Sequence, residues 1–253
     1  MMKVGVQLFG HLRTFERCAP TLKEHLLDRY PDHDVFLHTW DRMESETITH
    51  HERFCVPSPV DEQTIAAIKT LYNPRRMAID AQMPREMGEL TFSNGKRIAI
   101  SGIRYMFTSM QRASQLRERY SSETGTKYDV VVTVRPDIAL YRPLDLDAFF
   151  SYSRPPTLPT DETTRTRYAA FGPAPLILND LRGLPATDLL FFARPEVMSR
   201  VLKLADDVDQ YDMRAEVAPT RPRHLMNTYC TDIGIQTAVI DYIRPRDFDI
   251  VRL

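Results

Sequence analysis

The segment from Tyr128 to Leu140, with the sequence YDVVVTVRPDIAL, constrains the fold more strongly than any other part of the chain. Its valines, all between residues 130 and 134, are β-branched, and a nearly continuous apolar run is typical of a strand that is covered on both faces. Pro136 has no N–H to donate to a ladder, so the strand is expected to end near Arg135. Ligands of open α/β sheets bind outside such strand ends. Arg135 and Asp137 are therefore candidate site residues, although an Arg–Asp pair that only stabilises a turn is an equally good interpretation of the pattern.

Strand-like and helical segments alternate along the rest of the chain, which predicts an α/β fold. Residues 3–9 and 34–38 are predicted strands on either side of a predicted helix over residues 15–29, a βαβ unit whose strands should be parallel. Residues 151–185 are rich in Pro, Thr and Arg, show little periodicity, and are expected to form a long excursion. The other predicted elements are helices over 61–71, 99–120, 195–206 and 223–231, and strands over 76–80, 188–193, 234–243 and 249–253.

Composition narrows the classes of partner. A length of 253 residues fits one α/β domain. With 33 basic and 34 acidic side chains, the net charge of -1 gives no global field for nucleic acid. The three cysteines, Cys18, Cys55 and Cys230, are odd in number and widely spaced, which favours a reducing cytoplasm. We expect no cleaved signal and no transmembrane segment, while peripheral contact with the inner face of the cell membrane remains compatible with the sequence.

Three segments resemble bacterial glycosyltransferase-like proteins of lipopolysaccharide and capsule biosynthesis. They are VQLFGHLRTFERCAPTLKEHLLDRYPDHDVFLHTWD at residues 6–41, YDVVVTVRPDI at 128–138, and TDLLFFARPEVM at 187–198. The resemblance implies a Rossmann-like, GT-A-type fold, with a mixed, mostly parallel sheet flanked by helices. It also implies transfer of a sugar from a nucleotide-sugar donor to a surface glycan or its lipid-linked precursor. A single domain over 1–253 is expected, with the donor-binding part in 1–143 and the acceptor-side part in 144–253.

The resemblance also indicates where a divalent metal would bind. Enzymes of this fold usually hold Mn²⁺ or Mg²⁺ with an Asp-x-Asp at a strand end, and the matching place here reads Arg135-Pro136-Asp137. Asp137 alone is a poor metal cage, so metal dependence is left open, and Arg135 is the alternative ligand for phosphate oxygens. Asp145 and Asp147 also spell Asp-x-Asp and are second-choice metal ligands, but helix capping explains them more easily.

Further candidate donor-binding residues follow the first two strands. Gly10 and Arg13 lie in a turn where backbone can approach a phosphate and where a helix begins, although Arg13 could also be a surface arginine. The cluster of His38, Thr39, Trp40 and Asp41 suits a nucleoside pocket, with burial of the only tryptophan as the alternative.

In the resembling proteins, an Asp at the position of Asp188 faces the acceptor side. It is therefore the candidate general base of an inverting mechanism, with a capping role as the alternative.

Two other functions are alternatives to glycosyl transfer. A sugar nucleotidyltransferase could use a similar sheet, but the first strand is not followed by a glycine-rich basic loop. A non-catalytic glycan-binding or assembly module is the other alternative, because a fold does not establish chemistry. A zinc hydrolase is disfavoured because His50 and His51 are adjacent and His224 lacks a partner motif, and no G-x-S-x-G elbow indicates an acyl-transfer serine.

Overall fold

The structure is a computed structural model that describes residues 1–45, 55–82, 89–91, 97–147, 168–174, 189–210, 222–244 and 246–251. The strands in this part of the chain are β1 (Val4–Phe9), β2 (His33–Trp40), β3 (Arg76–Asp80), β4 (Glu89–Thr91), β5 (Arg97–Ala99), β6 (Val130–Val134), β7 (Ile138–Leu140), β8 (Tyr168–Ala174), β9 (Leu190–Ala193), β10 (Gln236–Ile243) and β11 (Phe248–Ile250). The helices are α1 (Phe15–Leu22), α2 (Glu62–Tyr72), α3 (Ile100–Thr124), α4 (Pro195–Val201), α5 (Leu204–Asp207) and α6 (Pro222–Asp232).

Seven of these strands form one mixed, mostly parallel sheet in the order β10-β8-β9-β6-β1-β2-β3. Neighbouring strands are parallel except where β9 pairs antiparallel with β6 and with β8. The predicted βαβ unit is confirmed, because β1 and β2 pair in parallel with α1 between them in the chain. Two small antiparallel pairs, β4 with β5 and β7 with β11, lie outside this sheet. The chain therefore has the α/β architecture that the alternating pattern predicts, and its mostly parallel sheet flanked by helices is compatible with the Rossmann-like fold that the resemblance implies.

Apolar side chains cover both faces of the sheet, as the continuous valine run predicts. Val130, Val132 and Val134 of β6 join the core that packs against α1 and α2, while Val131 faces the core built with α3 and α4. All of these valines are buried. Because each fully buried valine contributes about 1.5–3 kcal/mol, this strand is a large part of what holds the three layers together.

The first helix departs from the prediction of one continuous helix over residues 15–29. Regular α-helix ends at Leu22, and a π-helical turn, Lys23–Leu27, follows, in which the Asp28 N–H donates to the Lys23 carbonyl at 2.8 Å. Pro20 lies inside the helix and has no N–H to donate to the preceding turn, and such a gap is where helices adopt π or bent geometry.

The predicted excursion over residues 151–185 contains a strand of the main sheet. Residues 168–174 form β8, between β9 and β10, and the rest of this segment lies outside the described residues. The expectation of irregular structure is therefore wrong for residues 168–174. The segment AAFGPA has too few large apolar residues to stand out as a strand from its sequence alone, so its neighbours in the sheet determine its conformation.

Within the described residues, no helix combines the length and the apolar character that crossing a bilayer requires. The sheet takes strands from both the 1–143 and the 144–253 parts of the chain.

The second helix, α2, begins where the sequence predicts, because the Asp61 side chain accepts the Thr64 N–H at 2.8 Å and so caps the helix.

A buried carboxylate, Asp34, ties together the amino ends of the strands. It accepts from Arg75 Nε at 2.6 Å and from the Tyr128 hydroxyl at 2.9 Å, and Lys3 Nζ lies 2.9 Å away. Burial raises the pKa of Asp34, but the hydrogen bonds from Arg75, Lys3 and Tyr128 outweigh burial, so the pKa lies below its ordinary value. Asp34 is therefore ionised at neutral pH and joins β2 to the starts of β1 and β6.

Replacing this carboxylate tests its contribution to stability. We expect Asp34→Asn to lower the free energy of unfolding by about 2 kcal/mol or more, because it leaves three donors facing a neutral amide in a mostly buried site. Asp32→Asn is a matched control, since Asp32 pairs with the same Lys3 at 2.7 Å but is 47% exposed, and it should cost less than about 1 kcal/mol. Urea unfolding at pH 7 measures both, and equal losses would contradict the role assigned to Asp34.

Candidate functional site

The predicted site residues that the structure describes meet at one edge of the sheet. Because β1, β2, β3 and β6 are parallel, their carboxyl ends all open on the same side. The turn Gly10–Arg13 follows β1, Asp41 follows β2, and Arg135 with Asp137 follows β6. We call this set of loops the carboxyl edge.

The turn after β1 has an unusual backbone. Gly10 has φ of 92° and Arg13 has φ of 49°, so a residue with a long side chain occupies the left-handed region. Such a conformation costs a non-glycine residue on the order of 1 kcal/mol. Two hydrogen bonds hold the turn, from the Gly10 N–H to Ser109 Oγ at 2.7 Å and from the Arg13 N–H to the Met43 carbonyl at 3.0 Å. The turn is therefore fixed by α3 on one side and by the segment after β2 on the other.

Asp137 lies at the centre of the carboxyl edge and is fully buried. Its Oδ1 accepts from Arg135 Nε at 2.8 Å, and its Oδ2 accepts from Arg135 Nη2 and, at 3.1 Å, from Arg13 Nη1. Burial raises the pKa of Asp137, but the charges of Arg135 and Arg13 and their hydrogen bonds outweigh it, so the pKa lies below its ordinary value. One carboxylate thus orients two guanidinium groups that come from different strand ends.

Arg13 also contacts a second carboxylate, that of Glu44. Arg13 Nη2 donates to Glu44 Oε1 at 2.8 Å, and Arg13 Nε lies 2.8 Å from Glu44 Oε2. The two side chains are only 10% and 4% exposed. Burial lowers the pKa of Arg13, but Asp137 and Glu44 outweigh it and raise it, so Arg13 carries its charge at any ordinary pH. Arg13, Arg135, Asp137 and Glu44 form a four-membered charge cluster with no net formal charge.

The end of β2 is buried against α3. His38 is fully buried, with Nδ1 at 2.7 Å from Ser109 Oγ and Nε2 at 3.2 Å from Asp80 Oδ2. Burial lowers the pKa of His38 despite the opposing effect of Asp80, which favours a neutral ring. The Trp40 ring is also buried and packs edge-on against His38, with centroids 5.1 Å apart, and against Tyr105, at 5.4 Å. Trp40 is thus buried, as the alternative interpretation of the sequence expected. Contact of His38 or Trp40 with a nucleoside stays a prediction.

Polar side chains with exposed surface continue along the edge from β1 to β3. Asp41 is exposed, and its Oδ1 accepts the Gln82 N–H at 3.0 Å. The Gln82 side chain reaches His11 Nε2 at 2.9 Å. Burial and the charge of Arg13 lower the pKa of His11 to about 4. His11 is therefore neutral at pH 7 and can serve as a hydrogen-bonding group but not as a cation.

The far end of the chain covers the start of α1. The Thr14 hydroxyl donates to the Val251 carbonyl at 2.7 Å, and the Val251 N–H donates to the Asp137 carbonyl at 3.0 Å. The antiparallel pair of β7 and β11 brings Val251 to this place. In this first turn the Phe15 N–H donates to the Leu12 carbonyl and the Arg17 N–H to the Thr14 carbonyl, both at 3.0 Å, and phosphate binding at the helix start stays a prediction.

The contacts of Asp137 bear on how an anionic ligand would be held. Both carboxylate oxygens already accept from guanidinium groups, and two positive charges beside them oppose the approach of a metal cation. The donor set at this strand end therefore fits arginine binding of phosphate better than metal binding, and a metal on Asp137 stays a prediction. Asp145 directly precedes the helical residues Leu146 and Asp147, and both its capping role and a metal on Asp145 and Asp147 stay predictions.

Asp188, the candidate general base, lies outside the described residues, one position before Leu189. Leu189 itself is close to the site, because its carbonyl accepts the Arg135 N–H at 3.1 Å. The chain around residue 189 thus runs next to the Arg135 backbone. The role of Asp188 in catalysis stays a prediction.

Sequence reasoning missed Glu44 and Ser109. Glu44 lies in a stretch without a recognisable motif, and its contact with Arg13 depends on a turn that local pattern does not reveal. Ser109 left a weak signal, because it is a polar residue on the largely apolar face of α3, beside Met106 and Met110.

The pH dependence of stability tests the central carboxylate. Because the folded-state pKa of Asp137 is depressed, its charge stabilises the fold above the unfolded pKa of about 3.9, and this contribution is lost as the pH falls through the folded pKa. We expect Asp137→Asn to lower the free energy of unfolding at pH 7 by about 3 kcal/mol. The difference from the wild type should shrink as the pH falls from 5 towards 3. A difference that stays constant in urea unfolding over this range would contradict the assignment.

No protein-family model matches this chain, and no curated protein matches it. The function is therefore inferred from the residues at the carboxyl edge and from the motifs that carry the resemblance.

Proposed function

We propose that this protein is a glycosyltransferase of the GT-A type that moves a sugar from a nucleotide-sugar donor to a surface glycan, of lipopolysaccharide or capsule, or to its lipid-linked precursor. The observation that carries the proposal is the convergence of Arg13 and Arg135 on the buried Asp137 at adjacent strand ends. Two oriented guanidinium groups at this edge suit a diphosphate, because each planar guanidinium can donate two hydrogen bonds to a pair of phosphate oxygens.

The architecture supports the same proposal. Open, mostly parallel sheets bind ligands outside the carboxyl ends of their strands, and the paired arginines lie at the ends of β1 and β6 in the middle of the sheet. The resembling segments at residues 6–41 and 128–138 contribute the turns that carry these arginines. The donor-binding role expected for residues 1–143 thus corresponds to β1, β2, β3 and β6, whose carboxyl ends form this edge.

The proposed chemistry needs stabilisation of a leaving group. The bond between the anomeric carbon of the sugar and a phosphate oxygen breaks, and its electron pair remains on the nucleoside diphosphate. A new bond forms to the acceptor hydroxyl oxygen, whose proton passes to a base, for which Asp188 is the candidate in an inverting mechanism. Charge therefore grows on the diphosphate in the transition state, and preoriented arginines stabilise it there.

Arg135 is the better placed of the two arginines for direct contact. Asp137 holds its Nε and Nη2, and Nη1 makes no hydrogen bond to any residue that the structure describes. The Arg135 side chain is 14% exposed to solvent at the carboxyl edge. We assign Arg135 Nη1 as a hydrogen-bond donor to a phosphate oxygen of the nucleotide sugar. We assign Gly10 as the position where the protein backbone comes close to that phosphate.

The exposed groups between β1 and β3 suit the nucleoside end of the donor. Asp41 and Asp80 are carboxylates with exposed surface, and carboxylates accept hydrogen bonds from ribose hydroxyls or base N–H groups. His11 and Gln82 lie between these groups and Arg13. The three cysteines are free thiols, which agrees with the proposed cytoplasmic location, where nucleotide sugars are the substrates.

Removal of the Arg135 side chain tests the proposal. We expect Arg135→Ala to weaken binding of the preferred nucleoside diphosphate by about tenfold or more, since a charge-assisted hydrogen bond to phosphate is lost. A thermal-shift panel of UDP, GDP, CMP and dTDP with their sugars, with and without Mn²⁺ or Mg²⁺, identifies the ligand, and calorimetry then measures its affinity. We expect stabilisation without added metal.

Arg76→Ala is the matched control because it removes the same charge at the opposite end of the sheet. Arg76 begins β3, is 45% exposed and pairs with Glu123. It should leave the affinity within about twofold of the wild type, since exposed charges at this distance are screened. If Arg135→Ala is folded and retains full donor affinity and turnover, the proposed role of the arginine pair is wrong.

A further inference from the structure

The Arg13 guanidinium is already occupied by carboxylates of this chain. Glu44 contacts its Nε and Nη2, and Asp137 accepts from its Nη1. Three of its nitrogens are thus engaged in contacts of 2.8 to 3.1 Å, and the side chain is 10% exposed. Glu44 therefore occupies the Nε–Nη2 edge of Arg13, and a phosphate that binds this edge in a bidentate way must replace the Glu44 carboxylate.

The two carboxylates differ in what their displacement from Arg13 would disturb. Asp137 is fully buried, accepts from both Arg135 and Arg13, and has its own carbonyl bonded to the Val251 N–H. The Glu44 carboxylate contacts Arg13 and the adjacent Ser45 N–H, at 2.9 Å. Displacing Asp137 would also break its contacts with Arg135, whereas displacing Glu44 leaves both arginines paired with Asp137.

We infer that Glu44 is an internal counter-anion of Arg13, which the diphosphate of the donor displaces on binding and which returns when the nucleoside diphosphate leaves. Glu44 is a positioning residue that acts through Arg13. In the empty site it neutralises Arg13 and holds its guanidinium in the plane that a bidentate phosphate will use. This inference rests on the proposed function, because it identifies what lowers the affinity for the product of that reaction.

The test compares binding of inorganic pyrophosphate to the wild type and to Glu44→Gln by calorimetry at fixed ionic strength. Gln keeps the shape of the side chain and an oxygen that can accept from Arg13, but it removes the competing charge. We expect pyrophosphate to bind Glu44→Gln about tenfold more tightly than the wild type. Simple loss of structure would weaken binding, so a gain separates the two explanations.

The matched control is Glu123→Gln, which changes the net charge equally at an exposed pair with Arg76. Its affinity for pyrophosphate should stay within about twofold of the wild type. Equal or weaker binding by Glu44→Gln, or an equal gain in Glu123→Gln, would overturn the inference.

Hydrogen exchange of the wild type provides a second measurement that does not depend on a variant. The Ser45 N–H is buried and donates to Glu44 Oε1, so displacement of Glu44 should speed its exchange when pyrophosphate is saturating. Unchanged or slower exchange at Ser45 would overturn the inference.

The outcomes also separate this inference from the proposed function. If the wild type binds pyrophosphate and Glu44→Gln shows no gain, the inference fails and the proposed function stands. If Glu44→Gln shows the gain but no nucleotide sugar binds, the counter-anion is real and the proposed function fails. If neither protein binds pyrophosphate, both fail.

Discussion

The buried carboxylate of Asp137 is the interaction on which the arrangement of the carboxyl edge depends. An isolated charge at this depth would cost several kcal/mol, so the fold must supply cations to it. Arg135 comes from the same strand end as Asp137. Arg13 comes from the neighbouring strand end and precedes Asp137 by 124 positions in the chain. The parallel pairing of β1 with β6 brings the two turns together, and the contacts with the one carboxylate then orient both guanidinium groups.

The same carboxylate residue links the edge to the end of the chain. Its carbonyl accepts the Val251 N–H, and the Val251 carbonyl accepts the Thr14 hydroxyl, so backbone and side-chain bonds close a ring over the start of α1. The stacked rings of Tyr242 and Phe248, with centroids 5.6 Å apart, anchor the β10–β11 connection that delivers Val251. The first and last parts of the chain are thus both needed to build one site.

The part of this arrangement that follows from local pattern could be predicted from the sequence. The valine run with Pro136 predicted β6 and its end, and the helix predicted over residues 61–71 matches the start of α2. The π-helical turn after Pro20, the strand at 168–174 and the contact of Glu44 with Arg13 could not be predicted. The strand and the ion pair depend on partners that are distant in the sequence, since sheet order and ion pairing are properties of the assembled fold. The π-helical turn follows Pro20 closely, but the helical pattern does not show how a helix adjusts to a proline inside it.

The strained backbone at Arg13 is consistent with a site selected for geometry. A glycine would adopt φ of 49° at no steric cost, whereas arginine there costs on the order of 1 kcal/mol. The strain is offset by the hydrogen bond from the Arg13 N–H to Met43 and by the ion pairs of the side chain with Glu44 and Asp137. The backbone hydrogen bond to Met43 does not need an arginine side chain, whereas the two ion pairs do. The strained position therefore carries a guanidinium that contacts Asp137 at 3.1 Å, on the same carboxylate oxygen that accepts from Arg135, and these side-chain contacts are what distinguish arginine from glycine at this turn.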